Sequence, residues 1–117
     1  MRFLVTFREN TAVSMMLPPP AMMDIVEATG AWMNEMKKGG KFSDAAFFAP
    51  DHGGIAIVDV SSHGELLGLV ESCPIRPFCT VETVPLIDYA EWQPVFQKTK
   101  AAALAMFEKM QAILPKR

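Results

Sequence analysis

The sequence predicts one α+β domain of the ferredoxin-like kind, βαββαβ with an additional C-terminal helix, and two observations carry that reading. Hydrophobic periodicity switches from strand to helix and back in the order of two βαβ-like halves joined by a hairpin. The strands that this topology makes central are apolar on both faces, while the helices cover only one face of the antiparallel sheet. The second face therefore needs a cover. A twin subunit closing sheet on sheet, to give a dimeric α+β barrel, is the simplest candidate, and the C-terminal helix folding back is its rival.

Composition sets the outer limits. A chain of 117 residues, half of them hydrophobic, can bury one core and fits a single domain spanning residues 1–117. A net charge of −2 with no basic block argues against nucleic acid as a partner. No apolar stretch approaches the ~18 residues of a membrane span, and Met1 to Val5 lacks the pattern of a leader peptide, so a cytoplasmic protein is expected. Cys73 and Cys79 fit neither a disulfide framework nor a zinc spacing; they are expected as buried thiols. No metal-ligand cluster, phosphate loop or Ser-His-Asp order appears, and Gly53-Gly54 reads as a plain turn.

Each element has a local reason. Arg2 to Arg8 alternates as a strand, and residues 9–20 form a loop that Pro18, Pro19 and Pro20 hold extended. From Ala21 the spacing of Met22, Ile25, Val26, Thr29, Trp32, Met33 and Met36 is helical, despite Gly30, and Gly39-Gly40 supplies the stop. Phe42 to Ala49 and Gly54 to Val60 make a hairpin around Pro50-Asp51-His52-Gly53. Ser62-His63-Gly64-Glu65 matches a capping box and opens a short helix that Pro74 closes. Phe78 to Val84 is the fourth strand. Asp88 opens the last helical region, in which Pro94 is expected to restart the helix.

The strand end Val58-Asp59-Val60-Ser61-Ser62, then Glu65-Leu66, Pro74-Ile75-Arg76-Pro77-Phe78, Glu82 and Pro85-Leu86 occur in a distinctive order. In that order they resemble the muconolactone isomerase family of dimeric α+β barrels. The resemblance implies the fold, a tight oligomer and a ligand cleft, with cofactor-free isomerisation of an unsaturated lactone as the namesake activity. Two features depart from it. No Lys or Arg occurs between Arg8 and Lys37, and the second strand offers Phe47 and Phe48 where a basic residue is expected. The C-terminal helix is an addition to the namesake's plan.

Proton transfer needs a group whose pKa can be drawn toward neutrality and a charge to steady the developing anion. Asp44 and Glu82 are candidates because each interrupts an apolar strand, Asp44 sharing a face with Phe42, Ala46 and Phe48. The alternative for both is an edge strand with the carboxylate in water. His52, in the hairpin turn, is the third catalytic candidate; His63 reads as solvent-facing. Asp59 is expected to satisfy backbone donors near the Ser61-Ser62 cap. Arg76, fixed between Pro74 and Pro77, is the first choice to hold an anion, with Arg8 second. Met15 and Met16 fit no stripe and are expected as a flexible lid; Trp32 and Phe48 are expected to line the pocket with them.

The expectation is thus a cofactor-free isomerase- or cyclase-like enzyme acting on an apolar organic acid or lactone, with a small-molecule ligand and a second copy of itself as partners. A non-catalytic ligand-binding or accessory dimer module and a cofactor-independent oxygenase are the alternatives.

Overall fold

Phe3, Val5 and Phe7 alternate with Leu4 and Thr6 along β1, Arg2–Glu9, and this period of two sorts the strand into two faces. The same alternation sorts β3, Gly53–Asp59, into Gly54, Ala56 and Val58 on one face and Ile55 and Ile57 on the other. These strands pair antiparallel from Arg2 opposite Asp59 to Arg8 opposite Gly53. With β2, Phe42–Phe47, and β4, Cys79–Leu86, they form one antiparallel sheet in the order β2-β3-β1-β4. The expected ferredoxin-like order is what the chain adopts. The computed structural model describes residues 1–114. They fall into two compact units, one ending at Leu86 and one beginning at Ile87.

The helices of the first unit are α1, Thr11–Ser14, α2, Pro19–Lys38, and α3, His63–Glu71; a 3₁₀ turn at Arg76–Phe78 leads into β4. Met22, Trp32 and Met33 of α2 and Leu66 and Val70 of α3 join Phe3, Val5, Phe7, Ala56 and Val58 in a single core. Val5 and Val58 are 1 % exposed and Ala56 is fully covered, so the core sits over the two central strands. Each large side chain buried there contributes about 1.5–3 kcal/mol. Leu4, Thr6, Ile55 and Ile57, on the other face, stay half-buried.

Local chemistry corrects two expectations and locates a third within its expected pair. The prolines do not hold an extended loop: Pro18 is the N-cap of α2, and Pro19 and Pro20 fill its first positions, where a missing N–H costs nothing because those donors have no helical partner. The left-handed stop falls on Gly40 (φ 77°) and not on Gly39, and the Lys41 N–H closes the helix on the Met36 carbonyl at 2.9 Å. The strand β2 bulges at Ser43, with Phe42 opposite Val58 and Asp44 opposite Ile57. One extra residue inverts the face, so Phe42 enters the core while Asp44 points to the side of the sheet away from α2 and α3.

The cap of α3 forms with a variation. Ser62 Oγ accepts the Glu65 N–H at 3.1 Å, as the motif requires. Glu65 Oε2 reaches past Ser62 to accept both the N–H and the O–H of Ser61 at 2.8 Å. The donors expected to go to Asp59 therefore go to Glu65, and they hold its carboxyl below its ordinary value. Cys73 and Cys79 are buried free thiols, as expected. Burial pushes Cys73 up to about 11.

The second unit contains α4, Tyr89–Ile113, with Asp88 at its N-cap. The helix does not restart at Pro94 but runs through it, and Pro94 has no N–H to donate to the Ala90 carbonyl. None of its residues is buried. Among the described residues no helix is long and apolar enough to cross a membrane.

Removing the cap by Ser62→Ala is expected to cost about 1 kcal/mol in urea unfolding with an unchanged slope. Because the folded pKa of Glu65 is lowered, its contribution is complete above the unfolded value near 4.5 and is lost as pH falls through the folded value. Glu65→Gln should flatten that acid limb. The raised Cys73 pKa works in the opposite direction: its contribution is complete below the unfolded thiol value and disappears as pH climbs toward about 11. Thiol labelling of native protein at pH 8 should accordingly leave Cys73 unreacted until the protein unfolds.

Candidate functional site

Where β1 ends, the hairpin between β2 and β3 folds beside it, and the Glu9 N–H ties the two by donating to the His52 carbonyl at 3.1 Å. Phe48 continues the ladder by donating its N–H to the Gly53 carbonyl at 2.9 Å. The middle of α2 passes over this corner. A cleft of about 130 Å³ opens between them. Phe7 and Gly54 lie in its floor, Val26, Thr29, Gly30 and Met33 form the helix wall, and Ile75 closes one side. Phe47, Phe48, Asp51 and His52 make the hairpin wall.

Glycine makes the space. A Cβ on Gly54 would stand 2.5 Å from the Ala46 carbonyl oxygen, so glycine is needed for β3 to lie this close to β2, and it would also press on Met33 Cε at 3.2 Å. On Gly53 it would meet the Phe7 carbonyl oxygen at 2.2 Å, which keeps the hairpin tight against β1. The pair expected as a plain turn therefore begins β3 and shapes the cleft floor. Gly30 leaves a gap in the opposite wall, where a Cβ would lie 4.0 Å from Phe47 Cζ, an ordinary contact distance.

The walls are apolar and the mouth is charged. Thr29 turns its hydroxyl away, donating to the Ile25 carbonyl at 2.8 Å. Asp51 and His52 are exposed at the hairpin. Arg8, at the end of β1, lays its guanidinium 4.5 Å above the Phe48 ring centroid, and its Nη1 is 4.0 Å from Asp51 Oδ2. An exposed pair at that distance adds little stability, but it places a cation and a carboxylate at the cleft mouth. Such a slot suits a flat, mostly apolar molecule with its polar end at the mouth.

The structure brings only part of the expected set together. His52 and Phe48 line the cleft, with Arg8 beside them. Trp32 does not: it is core, edge-on to Phe7 and Phe42, with its Nε1 donating to Ser72 Oγ at 3.1 Å. Met15 and Met16 are more than 80 % exposed and do not line the cleft. Glu82 pairs in register with Thr6, which puts it, like Asp44, on the sheet face away from α2 and α3. Both sit on edge strands and are exposed, and Asp44 lies 3.6 Å from Lys37 Nζ.

Arg76 lies in a separate, shallower groove between α3 and β4, with His63, Leu66 and Thr83, and its Nε is 3.6 Å from Glu71 Oε1. Residues missed by sequence reasoning are Asp51, Gly30 and Gly54. One available signal was Gly30 itself, an unfavourable residue retained in the middle of a strongly periodic helix. Among the described residues no group of His, Cys, Asp and Glu could hold a metal ion.

The sequence profile of the muconolactone delta-isomerase family matches residues 1–91. No curated protein is similar enough in sequence to be matched. Among solved structures, the 5-chloro-2-hydroxyhydroquinone dehydrochlorinase of Burkholderia phenoliruptrix, in complex with 2,5-dihydroxybenzoquinone, superposes with a TM-score of 0.56 at 16% identity. The match covers 78% of this chain and 98% of that one. A muconolactone isomerase superposes with a TM-score of 0.56 at 18% identity, over 76% of this chain and 91% of that one. Both are likenesses of fold.

Gly30→Ala tests the cleft wall. Helix propensity should raise stability by about 0.5–1 kcal/mol, because the added methyl meets no clash. The same methyl enters the cleft, so the affinity of any aromatic acid found to bind there, benzoate being the first probe, should fall. Calorimetry and NMR titration of the one variant read both effects.

Proposed function

Since this chain belongs to the muconolactone delta-isomerase family, we propose that it is a cofactor-free enzyme moving a proton on a small organic acid or lactone. The substrate is flat and mostly apolar and binds in the cleft between α2 and the β2–β3 hairpin. The observation that carries this reading is the tandem Asp51-His52 at the mouth of a cleft whose other walls are apolar. In this reading His52 removes a proton from a carbon beside a substrate carbonyl and returns it to another carbon of the same conjugated system. A double bond shifts, the hydrogen count is unchanged, and no electrons are gained or lost. The Arg8 cation steadies the negative charge that develops on the carbonyl oxygen or is already carried by the acid. Phe47 and Phe48 stack against the flat ring.

The same reading assigns a second copy of the chain to the sheet face away from α2 and α3. Leu4, Ile55 and Ile57 are half-buried there and Val84 is exposed, with Asp44 and Glu82 at the borders. The two carboxylates then frame the contact between copies, and Arg76 takes no part in the cleft.

Hydrogen–deuterium exchange on bound ligands separates the possibilities. Unsaturated lactones and aromatic acids would be screened by NMR in D₂O, with 2,5-dihydroxybenzoquinone as a binding probe. Wild-type protein is expected to exchange a carbon-bound proton of at least one ligand, and His52→Gln to slow that exchange at least ~100-fold with little change in Kd. Binding without exchange for every ligand would make the cleft a receptor. Exchange that survives His52→Gln but is lost in Glu82→Gln or Asp44→Asn would move the proton step to the other face.

A further inference from the structure

We propose that α4 pairs with α4 of a second copy of this chain. The helix has no buried residue, yet it carries large apolar side chains along its whole length. Positions 92, 96, 99, 103, 106, 110 and 113 advance by alternating steps of four and three and read Trp, Phe, Thr, Ala, Met, Met, Ile. That mean spacing of 3.5 residues keeps one seam facing another helix over several turns, which a helix lying across a sheet does not require. Trp92 and Phe96 already stack along the seam, with ring centroids 4.7 Å apart.

The exposed area matches what a stable pair needs. Trp92, Val95 and Phe96 at one end and Met106, Phe107, Met110, Ile113 and Leu114 at the other are 41–82 % exposed. At ~100 Å² exposed per large side chain the stripe offers roughly 800 Å². One partner in an interface of standard size contributes about that area, and the largest apolar patch on a monomer is commonly smaller, about 300–600 Å².

The distribution of bulk selects the occupant. Side chains are large at both ends and small at Ala102 and Ala103, so two copies meet large on large and small on small in either direction. The backbones can approach closely at the centre. A second copy is self-complementary to the stripe without any further partner. Most of α4 lies beyond the residues that match the family, so this inference stands apart from the cleft chemistry.

Sedimentation equilibrium of the full chain, over ~1–100 μM, tests it against Met106→Glu/Met110→Glu, with circular dichroism to confirm folding. The wild-type mean mass should be at least twice that of the double variant. Equal masses at every concentration together with no disulfide cross-link in an Ala103→Cys variant would overturn the proposal, whether the stripe then lies on its own chain or on a different partner. Ala103→Cys supplies a measurement that does not depend on charged residues being tolerated at the seam. Position 103 meets itself in a parallel pair and in an antiparallel pair centred on the alanines. Mild oxidation should give a covalent dimer, which the buried Cys73 and Cys79 cannot form.

Discussion

The pairing of β1 with β3 is the constraint on which the rest of this protein depends. Seven residue pairs, from Arg2–Asp59 to Arg8–Gly53, hold the two strands at the centre of the sheet. One face of that ladder carries Phe3, Val5, Phe7, Ala56 and Val58, against which α2 and α3 pack. The far end of the same ladder fixes the cleft, because Phe7 lies in its floor and Gly54 stands opposite Phe7. A change of register by one residue would expose the core and close the cleft at once, since every side chain would change face.

Each unit carries an apolar surface besides the first core. The reverse face of the sheet presents Leu4, Ile55, Ile57 and Val84, and α4 presents a stripe of its own. Isolated apolar residues on a surface need no account, but contiguous ones do. The two surfaces differ in kind. The sheet face is flat, bordered by carboxylates and built from strands that also serve the core. The helix stripe is narrow, periodic at 3.5 residues and serves nothing else in its own unit.

The candidate site is economical in polar groups. Its walls are hydrocarbon and ring edges, and its polar members, Arg8, Asp51 and His52, are gathered where β1 and the hairpin end. Strand ends and hairpin turns suit this work, because a rigid ladder positions them while their tips stay open to solvent. The two carboxylates that interrupt apolar strands, Asp44 and Glu82, look more unusual in sequence but stand on exposed edges. An apolar neighbour in the chain does not place a carboxylate in an apolar environment; the face across the ladder does.

Periodicity in the sequence determined the order of elements, the identity of the central strands and their apolar character on both faces. These rest on local spacing and on a short list of connection rules, so they survive without coordinates. His52, Phe48 and Arg8 were within reach as candidates. Their convergence was not, because it depends on how the hairpin lies beside β1. Tertiary structure alone decided that Asp44 faces away from Phe42, since one bulged residue at Ser43 inverts the alternation. It also decided that Trp32 is core and that Gly30 and Gly54 shape the cleft. A bulge and an absent side chain leave almost no trace in hydrophobic pattern, yet they set which surfaces meet.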